Sequence, residues 1–301
     1  MFKNFEEMVA EAIKNKKRRI VAVAGAADEA VIESTLKAKE EGIAEPILVG
    51  DEAKIKEILV KMNQKVEDFK IVDCEFENIG QRSVELVQDG EADFLMKGMI
   101  DTKDLLKPVV SKENRLRTGR VMSHLSLNEV PGYHKLLGNT DGGMIVYPDL
   151  EGKKAIIENA AEVLRNIGYE EPKFAVLCAV EKLNPKMVEC VDADALQKMN
   201  ENGEIAGCKV VGPISYDVAM DKHIAEHKGY DCDCCGDFDV LVMPNMAAGN
   251  IFGKTLTVTV KAKMAGIIIG AKCPIVLTSR GSTAEEKYLS IVFAGLAATG
   301  V

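Results

Sequence analysis

Short apolar runs alternate along the chain with segments of helical periodicity. Residues 2–14 repeat apolar side chains at steps of three and four, which predicts a helix, and residues 19–25 form an apolar run typical of a strand buried on both faces. Asp28 is the predicted cap of the next helix, 47–50 is the following strand, and Asp51 is the predicted cap of the helix after it. Strands that alternate with helices of about 10 to 15 residues predict a mainly parallel sheet with helices on both faces.

Beyond residue 128 the chain becomes rich in turn residues, at 128–133 and again at 138–143, before the alternation returns. The later strands are predicted at 174–180, 209–211, 240–243, 265–270 and 275–278, and the later helices at 153–167, 192–200, 216–227 and 285–299. This order predicts the α/β class, with two doubly wound α/β domains and a cleft between them. Ligands of open α/β sheets bind at the carboxyl ends of strands, so the loops after Met96, Met243 and Thr278 are the candidate site.

Composition narrows the class of function. The chain has 301 residues, enough for two domains, with 47% hydrophobic and 28% charged residues, as in soluble globular proteins. Its net charge of −9 argues against non-specific binding to nucleic acid or to a membrane. We see no secretory signal and no window of about 20 uncharged residues, so we expect a cytoplasmic location with neither nucleic acid nor membrane as a partner.

The loop after the last predicted strand contains the side chains best suited to catalysis. Ser279 and Arg280 end the apolar run, and Glu285 and Glu286 follow in the first turn of the next helix. A guanidinium binds anions, a hydroxyl donates a hydrogen bond, and a carboxylate can act as a general base. The same segment would also suit a structural helix start, with Ser282 or Thr283 as cap and glutamates in the first turn.

A second pattern, Pro244-Asn245-x3-Gly249-Asn250-x3-Lys254, follows the strand at 240–243. If it begins a helix, it presents unpaired backbone N–H groups, amide donors and one positive charge to an anionic ligand. A purely structural turn remains the alternative for this pattern.

The segment from Lys97 to Thr102 directly follows the strand at 92–96. Gly98 allows a ligand to approach the backbone, and Asp101 and Thr102 begin a helix, whose N-terminus favours anions. The alternative is an ordinary strand-to-helix turn with a solvated lysine.

Five basic residues lie within fourteen positions of this acidic chain: Lys107, Lys112, Arg115, Arg117 and Arg120. Such a cluster favours a local phosphate or nucleotide site. Arg115 and Arg117 flank Leu116, so both would lie on one side of an extended segment. A solvated basic face is the alternative.

Most of the eight cysteines lie in apolar runs and are typical of buried, reduced thiols. Cys232, Cys234 and Cys235 lie instead in a polar turn, a few residues after the H-x-x-E-H order of His223 and His227. These five residues could form a metal site. We favour a solvent-facing helix followed by a cysteine-containing loop, because so short a pattern recurs by chance and adjacent cysteines fit ligand spacing poorly. No metal is therefore expected.

These motifs occur in the same order as in the phosphate acetyltransferase/phosphate butyryltransferase family, and the chain resembles that family. The segments that are similar are Met96-Lys97-Gly98 with Thr102, Leu116-Arg117-Thr118-Gly119-Arg120 through Ser123-His124, Glu181-x2-Asn184-Pro185-Lys186-Met187, Gly212-Pro213-x3-Asp217, the Pro244 to Lys254 pattern, and Leu277-Thr278-Ser279-Arg280. The resemblance spans essentially the whole chain.

The resemblance implies a two-domain fold similar to isocitrate and isopropylmalate dehydrogenases, in which the C-terminal segment returns to the first domain. The expected domains are 1–128 plus 266–301, and 129–265. It also implies the reaction acyl-CoA + phosphate ⇌ acyl phosphate + CoA, with butyryl-CoA as the expected substrate. CoA and phosphate would be substrates, with no cofactor, and a homo-oligomer working beside an acyl (butyrate) kinase is expected.

By the same resemblance, Ser279 and Arg280 hold phosphate or the reacting carbonyl, and a carboxylate takes the proton of the CoA thiol. The base is left open between Glu285 and Glu286, and the role of Lys107 is open because lysine lacks the bidentate contact of arginine. The residues expected to bind phosphate or CoA are Lys97, Thr102, Arg117, Thr118, Ser123, Asn245, Gly249, Asn250 and Lys254.

Three other functions remain open from the sequence. One is a non-catalytic acyl-CoA-binding or regulatory module, which would bind CoA without turnover. Another is a phosphate acetyltransferase with a different chain-length preference. The third is acyl transfer within a reductase complex or lipid pathway, where partner proteins would co-purify.

Overall fold

A computed structural model describes residues 1–15, 18–279 and 281–298. Contacts divide the chain into two compact units. We call the described residues of Phe5–Arg120 and Met264–Val301 the N-terminal unit, and Met1–Asn4 with Val121–Lys263 the middle unit. Residues 121–128 therefore lie in the middle unit, whereas the predicted boundaries put them in the first domain.

The N-terminal unit contains a sheet in the order β3-β2-β1-β4-β11-β10. Its strands are β1 (Arg19–Ala24), β2 (Ala44–Gly50), β3 (Lys70–Asp73), β4 (Phe94–Lys97), β10 (Lys263–Ile269) and β11 (Ile275–Val276). All neighbouring pairs are parallel except β10 with β11. The helices are α1 (Phe5–Lys14), α2 (Glu29–Glu40), α3 (Glu52–Lys61), α4 (Ile79–Gln88), α5 (Thr102–Val110) and α11 (Ala284–Ala297).

The strand order reverses between β1 and β4. The chain moves outward from β1 through β2 to β3 and then returns to place β4 on the other side of β1. Because crossovers between parallel strands are right-handed, α2 and α3 cover one face and α4 covers the other. The loops after β1 and β4 therefore flank a topological switch point, where ligands of such sheets bind.

The middle unit contains strands in the order β5-β6-β9-β7-β8. These are β5 (Ser123–Glu129), β6 (Leu137–Thr140), β7 (Lys173–Leu177), β8 (Lys209–Ile214) and β9 (Val240–Val242). β5 is antiparallel to β6 and the other pairs are parallel. The helices are α6 (Leu150–Asn166), α7 (Val188–Glu201), α8 (Tyr216–Met220), α9 (Lys222–Lys228) and α10 (Met246–Lys254), with one π-turn at Thr255–Thr259.

Two sequence predictions for the middle unit were wrong. β5, which lies mostly before the turn-rich segment at 128–133, was not predicted, and β6 overlaps the turn-rich segment at 138–143. β5 contains Ser and Asn, and β6 contains Gly and Asn, residues that normally mark turns. The single helix predicted at 216–227 is two helices. Asp221 separates them, and its carboxylate accepts hydrogen bonds from the N–H groups of His223 (2.8 Å) and Ile224 (3.2 Å), which caps α9.

The mixed α/β class predicted from the alternation is confirmed in both units. Apolar side chains of β1, β2 and β4 are buried, and α11 is buried over most of its surface. Within the described ranges, no helix has the length and apolar character that crossing a membrane requires.

Candidate active site

The loop between β11 and α11 contains the predicted catalytic serine. Ser279 is exposed, and its carbonyl accepts a hydrogen bond from the Ser282 N–H at 3.0 Å. Thr278, just before it, is buried, and its hydroxyl has no hydrogen-bond partner among the residues described. Arg280 lies outside the described residues. The loop thus offers the exposed Ser279 hydroxyl at the carboxyl end of β11.

The two candidate bases on α11 differ in their surroundings. Thr283 caps the helix: its hydroxyl accepts from the Glu286 N–H at 3.1 Å, and the Glu286 carboxylate accepts from the Thr283 N–H at 3.2 Å. This capping box turns the Glu286 carboxylate back toward the loop that contains Ser279. Glu285 is exposed. The capped helix start that the sequence also allowed is therefore present. Its capping box places the Glu286 carboxylate on the side of α11 that faces the loop.

Lys287 is a residue of this loop region that the sequence reasoning missed. Its side chain is 3% exposed, and its Nζ donates to the Ser282 carbonyl at 2.6 Å. Burial lowers the pKa of the Lys287 ammonium, while the negative charges of Asp28 and Glu286 oppose that change. The sequence does contain a signal for this burial, because Lys287 lies in an otherwise apolar helix. A helix that is buried on nearly every face must bury its lysine as well.

The loop after β4 lies beside that of β11, because the two strands are neighbours and run parallel. Lys97 is 4% exposed, and its Nζ lies 3.3 Å from the Gly98 carbonyl. The N–H groups of Gly98 and Met99 donate to the carbonyls of Ala24 and Gly25 at 2.8 and 2.7 Å. Lys97 is therefore a buried lysine and not the solvated one that an ordinary turn would have.

Thr102 is the first residue of α5 and is half-buried at the same edge of the sheet. Lys107 is exposed in the last turn of this helix. The structure thus brings Lys97, Thr102 and Ser279 to one edge of the N-terminal unit, and it leaves Lys107 more than one helical turn from Thr102.

The basic segment does not reach that edge. Arg117 pairs with Ala271, and the Thr118 hydroxyl donates to the Gly270 carbonyl at 2.6 Å. Gly270 and Ala271 lie in the turn before β11, whereas Ser279 follows β11. Arg117 and Thr118 therefore lie at the amino end of β11, opposite the Ser279 loop, and their roles in substrate binding stay predictions.

Leu116 is buried between Arg115 and Arg117, which are both exposed, as the alternation indicates. Arg115 has φ +52°, in the left-handed region, so the segment is not extended at that residue. Both guanidinium groups face solvent.

Ser123 begins β5 in the middle unit and is fully buried. Its hydroxyl accepts a hydrogen bond from Asn159 Nδ2 at 3.1 Å, and the same Nδ2 donates to the Val121 carbonyl at 2.8 Å. The Ser123 hydroxyl thus has a hydrogen-bond partner, Asn159, inside the protein. Contact between Ser123 and a substrate stays a prediction.

The second sequence pattern packs α10 against the turn after β6. Asn245 caps α10, since its side-chain oxygen accepts from the Ala248 N–H at 3.0 Å. Asn250 Nδ2 donates to the Gly142 carbonyl at 3.2 Å, and Gly249 lies against the backbone of Asp141 and Gly142. The structure therefore brings Asn245, Gly249 and Asn250 together with this turn, and these contacts use polar groups expected to face a ligand.

Lys254 is the last residue of α10 and is exposed. At about 1.5 Å per residue, the helix puts it roughly 13 Å from the cap. Lys254 is therefore distant from Asn245, but it lies one turn after Asn250 on the same face of α10.

Replacing Gly249 by alanine is expected to destabilise the middle unit by about 1–3 kcal/mol. A Cβ there would lie 2.5 Å from the Asp141 carbonyl oxygen and 2.9 Å from Gly142 Cα, so backbone must move. The matched control is Gly253→Ala in the same helix, whose Cβ would meet only the Asn139 side chain at 3.3 Å. Alanine is the better helix former, so that control should be neutral or stabilising. Urea midpoints would compare them, and equal midpoints would contradict the packing role.

His124 and Asp141 are a further pair at the carboxyl end of β6. The Asp141 carboxylate accepts from the N–H groups of His124 (3.1 Å), Gly143 (2.8 Å) and Met144 (2.8 Å). Nδ1 of His124 is buried and lacks a hydrogen-bond partner in the described part of the chain. Burial lowers the pKa of His124, and the Asp141 charge opposes that change. The His124 imidazole is therefore held in its neutral form beside the carboxyl end of β6. Interpreting 138–143 only as a turn overlooks this histidine.

His223 and His227 are exposed on α9, whereas Cys234 and Cys235 are buried in the apolar core of the middle unit. Over the described ranges, no group of three or more His, Cys, Asp or Glu side chains is arranged to hold a metal ion.

Comparison with known proteins gives consistent results along the whole chain. A phosphate butyryltransferase of Clostridium acetobutylicum is 43% identical over 299 residues, or 99% of each chain. A phosphate acetyltransferase of Thermotoga maritima is 40% identical over 292 residues, covering 97% of this chain and 99% of that protein. The crystal structure of a branched-chain phosphotransacylase from Enterococcus faecalis has a TM-score of 0.81 at 32% identity, covering 93% of this chain and 99% of that one.

The dehydrogenase-like fold is also confirmed. A 4-hydroxythreonine-4-phosphate dehydrogenase from Klebsiella pneumoniae has a TM-score of 0.57 at 14% identity, a likeness of fold alone. The family model described as "Phosphate acetyl/butaryl transferase" matches residues 4–83 and 76–295. The motifs at the β4 and β11 loops and at α10 thus lie within the matched region, and the chain belongs to the phosphate acetyl/butaryl transferase family.

Proposed function

We propose that this chain is a phosphate acyltransferase that catalyses acyl-CoA + phosphate ⇌ acyl phosphate + CoA, with butyryl-CoA as its preferred substrate. The observation that supports it most is the match over 99% of both chains to a protein named phosphate butyryltransferase. The reaction uses CoA and phosphate as substrates and needs no cofactor.

In the direction of acyl-CoA synthesis, a carboxylate on α11 takes the proton of the CoA thiol. A thiol with a pKa of about 8.5 is mostly protonated at neutral pH, so a base increases the reactive thiolate. The thiolate attacks the acyl carbon, the bond from that carbon to the phosphate oxygen breaks, and phosphate leaves. In the reverse direction phosphate attacks the thioester, and the departing thiolate regains the proton from the same carboxylic acid.

Charge develops on the acyl oxygen and on the phosphate during this transfer, so the site must stabilise anions. Ser279, exposed at the carboxyl end of β11, donates a hydrogen bond, and Arg280 supplies a guanidinium. Lys97 and Lys287 add two buried ammonium groups in the loop region of neighbouring strands. Positive charge in such buried surroundings is screened less by water than charge at the surface.

Acetyl transfer is the second candidate, because the Thermotoga maritima relative named phosphate acetyltransferase is 40% identical. The two candidates differ only in the acyl chain that the pocket accepts. Comparing acetyl-CoA, butyryl-CoA and longer acyl-CoA in one assay separates them.

The test is release of CoA from acyl-CoA, followed with a thiol reagent, with and without phosphate. We expect phosphate-dependent release that Ser279→Ala lowers by about 10²–10³-fold, as for loss of an oxyanion donor. Arg280→Ala is expected to lose at least as much. Ser111→Ala, at the end of α5, is the control and should keep wild-type activity. Absence of phosphate-dependent release from every acyl-CoA would reject the proposal and favour a non-catalytic binding module.

The proposal also includes the reaction that consumes the product, the location of the enzyme and its oligomeric state. An acyl phosphate is a phosphoryl donor, so an acyl kinase that makes ATP is the natural consumer of the product. We place the enzyme in the cytoplasm, as a homo-oligomer that works beside such a kinase.

A further inference from the structure

Cys232 and Cys235 occupy the first and fourth positions of one tight turn between α9 and β9. The Cys235 N–H donates to the Cys232 carbonyl at 3.3 Å, the hydrogen bond that closes a four-residue turn. The ends of such a turn have Cα atoms less than about 7 Å apart. A disulfide needs a Cα separation of about 4.4–6.8 Å. The backbone therefore already holds these two cysteines at a distance that a disulfide can bridge.

The three thiols of this turn differ in access. Cys232 is part-exposed, whereas Cys234 and Cys235 are 2% and 3% exposed. Asp231, the residue before Cys232, lines an open groove of about 620 Å³ together with Lys228 and Tyr230. Cys232 directly follows a residue of that groove and is the most exposed of the three thiols.

Cys232 is also the thiol whose chemistry favours reaction. A hydrogen bond from the Cys234 thiol lowers the pKa of Cys232, although burial opposes this. All eight cysteines lie in the described residues, and the pKa of Cys74, Cys178, Cys208, Cys234, Cys235 and Cys273 is raised. Burial raises the pKa of Cys74, Cys208 and Cys273. Because the thiolate is the nucleophile, Cys232 is the first of the eight to react with an oxidant.

We propose that Cys232 and Cys235 form a redox-active dithiol, which a hydroperoxide oxidises to an intrachain disulfide. The Cys232 thiolate attacks one peroxide oxygen, the O–O bond breaks, and the sulfenic acid of Cys232 and one hydroxide form from hydrogen peroxide. The Cys235 thiol then attacks the Cys232 sulfur, the S–O bond breaks, and water leaves with the Cys235 proton. The two thiols lose two electrons, and the peroxide is reduced to water.

Cys234 is not the resolving thiol of this pair. It is two residues from Cys232 and lacks the turn hydrogen bond that holds Cys235 in place. Its thiol is hydrogen-bonded to the Cys232 thiol and also contacts the Lys209 side chain, but the backbone turn fixes Cys235, and not Cys234, relative to Cys232. The disulfide therefore joins Cys232 to Cys235 and leaves Cys234 reduced.

The test uses the full-length protein, fully reduced, then treated with hydrogen peroxide and alkylated. Trypsin releases residues 229–254 as one peptide, which contains Cys232, Cys234 and Cys235 and no other cysteine. We expect alkylation of that peptide to fall from three cysteines to one, with loss of two hydrogen masses, and a dithiol reductant to restore all three. Three alkylated cysteines after peroxide treatment would overturn the proposal.

Variants identify the pair. Cys234→Ser should keep the disulfide, and Cys232→Ser should lose it. Cys235 is in the core, so both Cys235→Ser and Cys235→Ala are compared, and each should leave a Cys232 sulfenic acid that a dimedone probe captures. Loss of the disulfide in Cys234→Ser, or its survival in Cys232→Ser, would overturn the assignment.

Discussion

Glu286→Gln is expected to lower kcat for phosphate-dependent CoA release by about 10²–10⁴-fold, the usual contribution of a general base. The Glu286 carboxylate is held on the loop side of α11, where it accepts from the Thr283 N–H at 3.2 Å. Glutamine has the same shape and can also accept this hydrogen bond, so the capping box survives while the base is lost. Activity should therefore fall without a change in thermal stability.

Glu285→Gln is the matched control, one residue earlier in the same turn. Glu285 is exposed, so its replacement should leave kcat within about twofold of wild type. The assay measures initial CoA release at saturating acyl-CoA and phosphate, beside a thermal melt of each variant. A large loss in Glu285→Gln with full activity in Glu286→Gln would assign the base to Glu285 instead.

The fold was predictable where local signals agree with tertiary packing. Asp28 and Asp51 were predicted caps, and their side chains accept from the N–H groups of Val31 (2.9 Å) and Lys54 (3.1 Å). β5 and β6 were not predicted as strands, because buried polar residues such as Asn128 and Asn139 replace the apolar alternation there. Such strands depend on neighbouring strands for their burial, and a single sequence does not contain that information.

The candidate site was predictable at the level of loops but less so for individual side chains. Lys97, Thr102 and Ser279 do lie at the carboxyl ends of neighbouring strands, as the topological rule requires. Asn245 and Asn250 instead make hydrogen bonds within the protein, to Ala248 and Gly142. A motif gives residue types and spacing, but the geometry decides whether a polar group is used by the backbone or left for a ligand.

A buried charge network at the amino ends of β6, β7 and β9 gives the largest expected effect on stability. Lys135 is 1% exposed, and its Nζ contacts the Asp237 carbonyl (2.8 Å), the Asp237 carboxylate (2.9 Å) and the Asp239 carboxylate (2.7 Å). Asp239 is 4% exposed and also accepts from the Lys173 N–H at 2.8 Å. All three ammonium hydrogens of Lys135 thus have acceptors, as a buried ammonium requires.

Lys135→Met is expected to destabilise the protein by about 3–5 kcal/mol, because it leaves the Asp239 carboxylate buried without its cation. Adding Asp239→Asn removes that charge, keeps an acceptor for the Lys173 N–H, and should recover more than half of the loss. Lys198→Met is the control, since its pair with Asp194 is exposed and costs at most about 0.5 kcal/mol. The chain has no tryptophan, so far-UV circular dichroism in urea is the measurement. If the double variant is as unstable as Lys135→Met, the cost comes from lost packing and not from the uncompensated carboxylate.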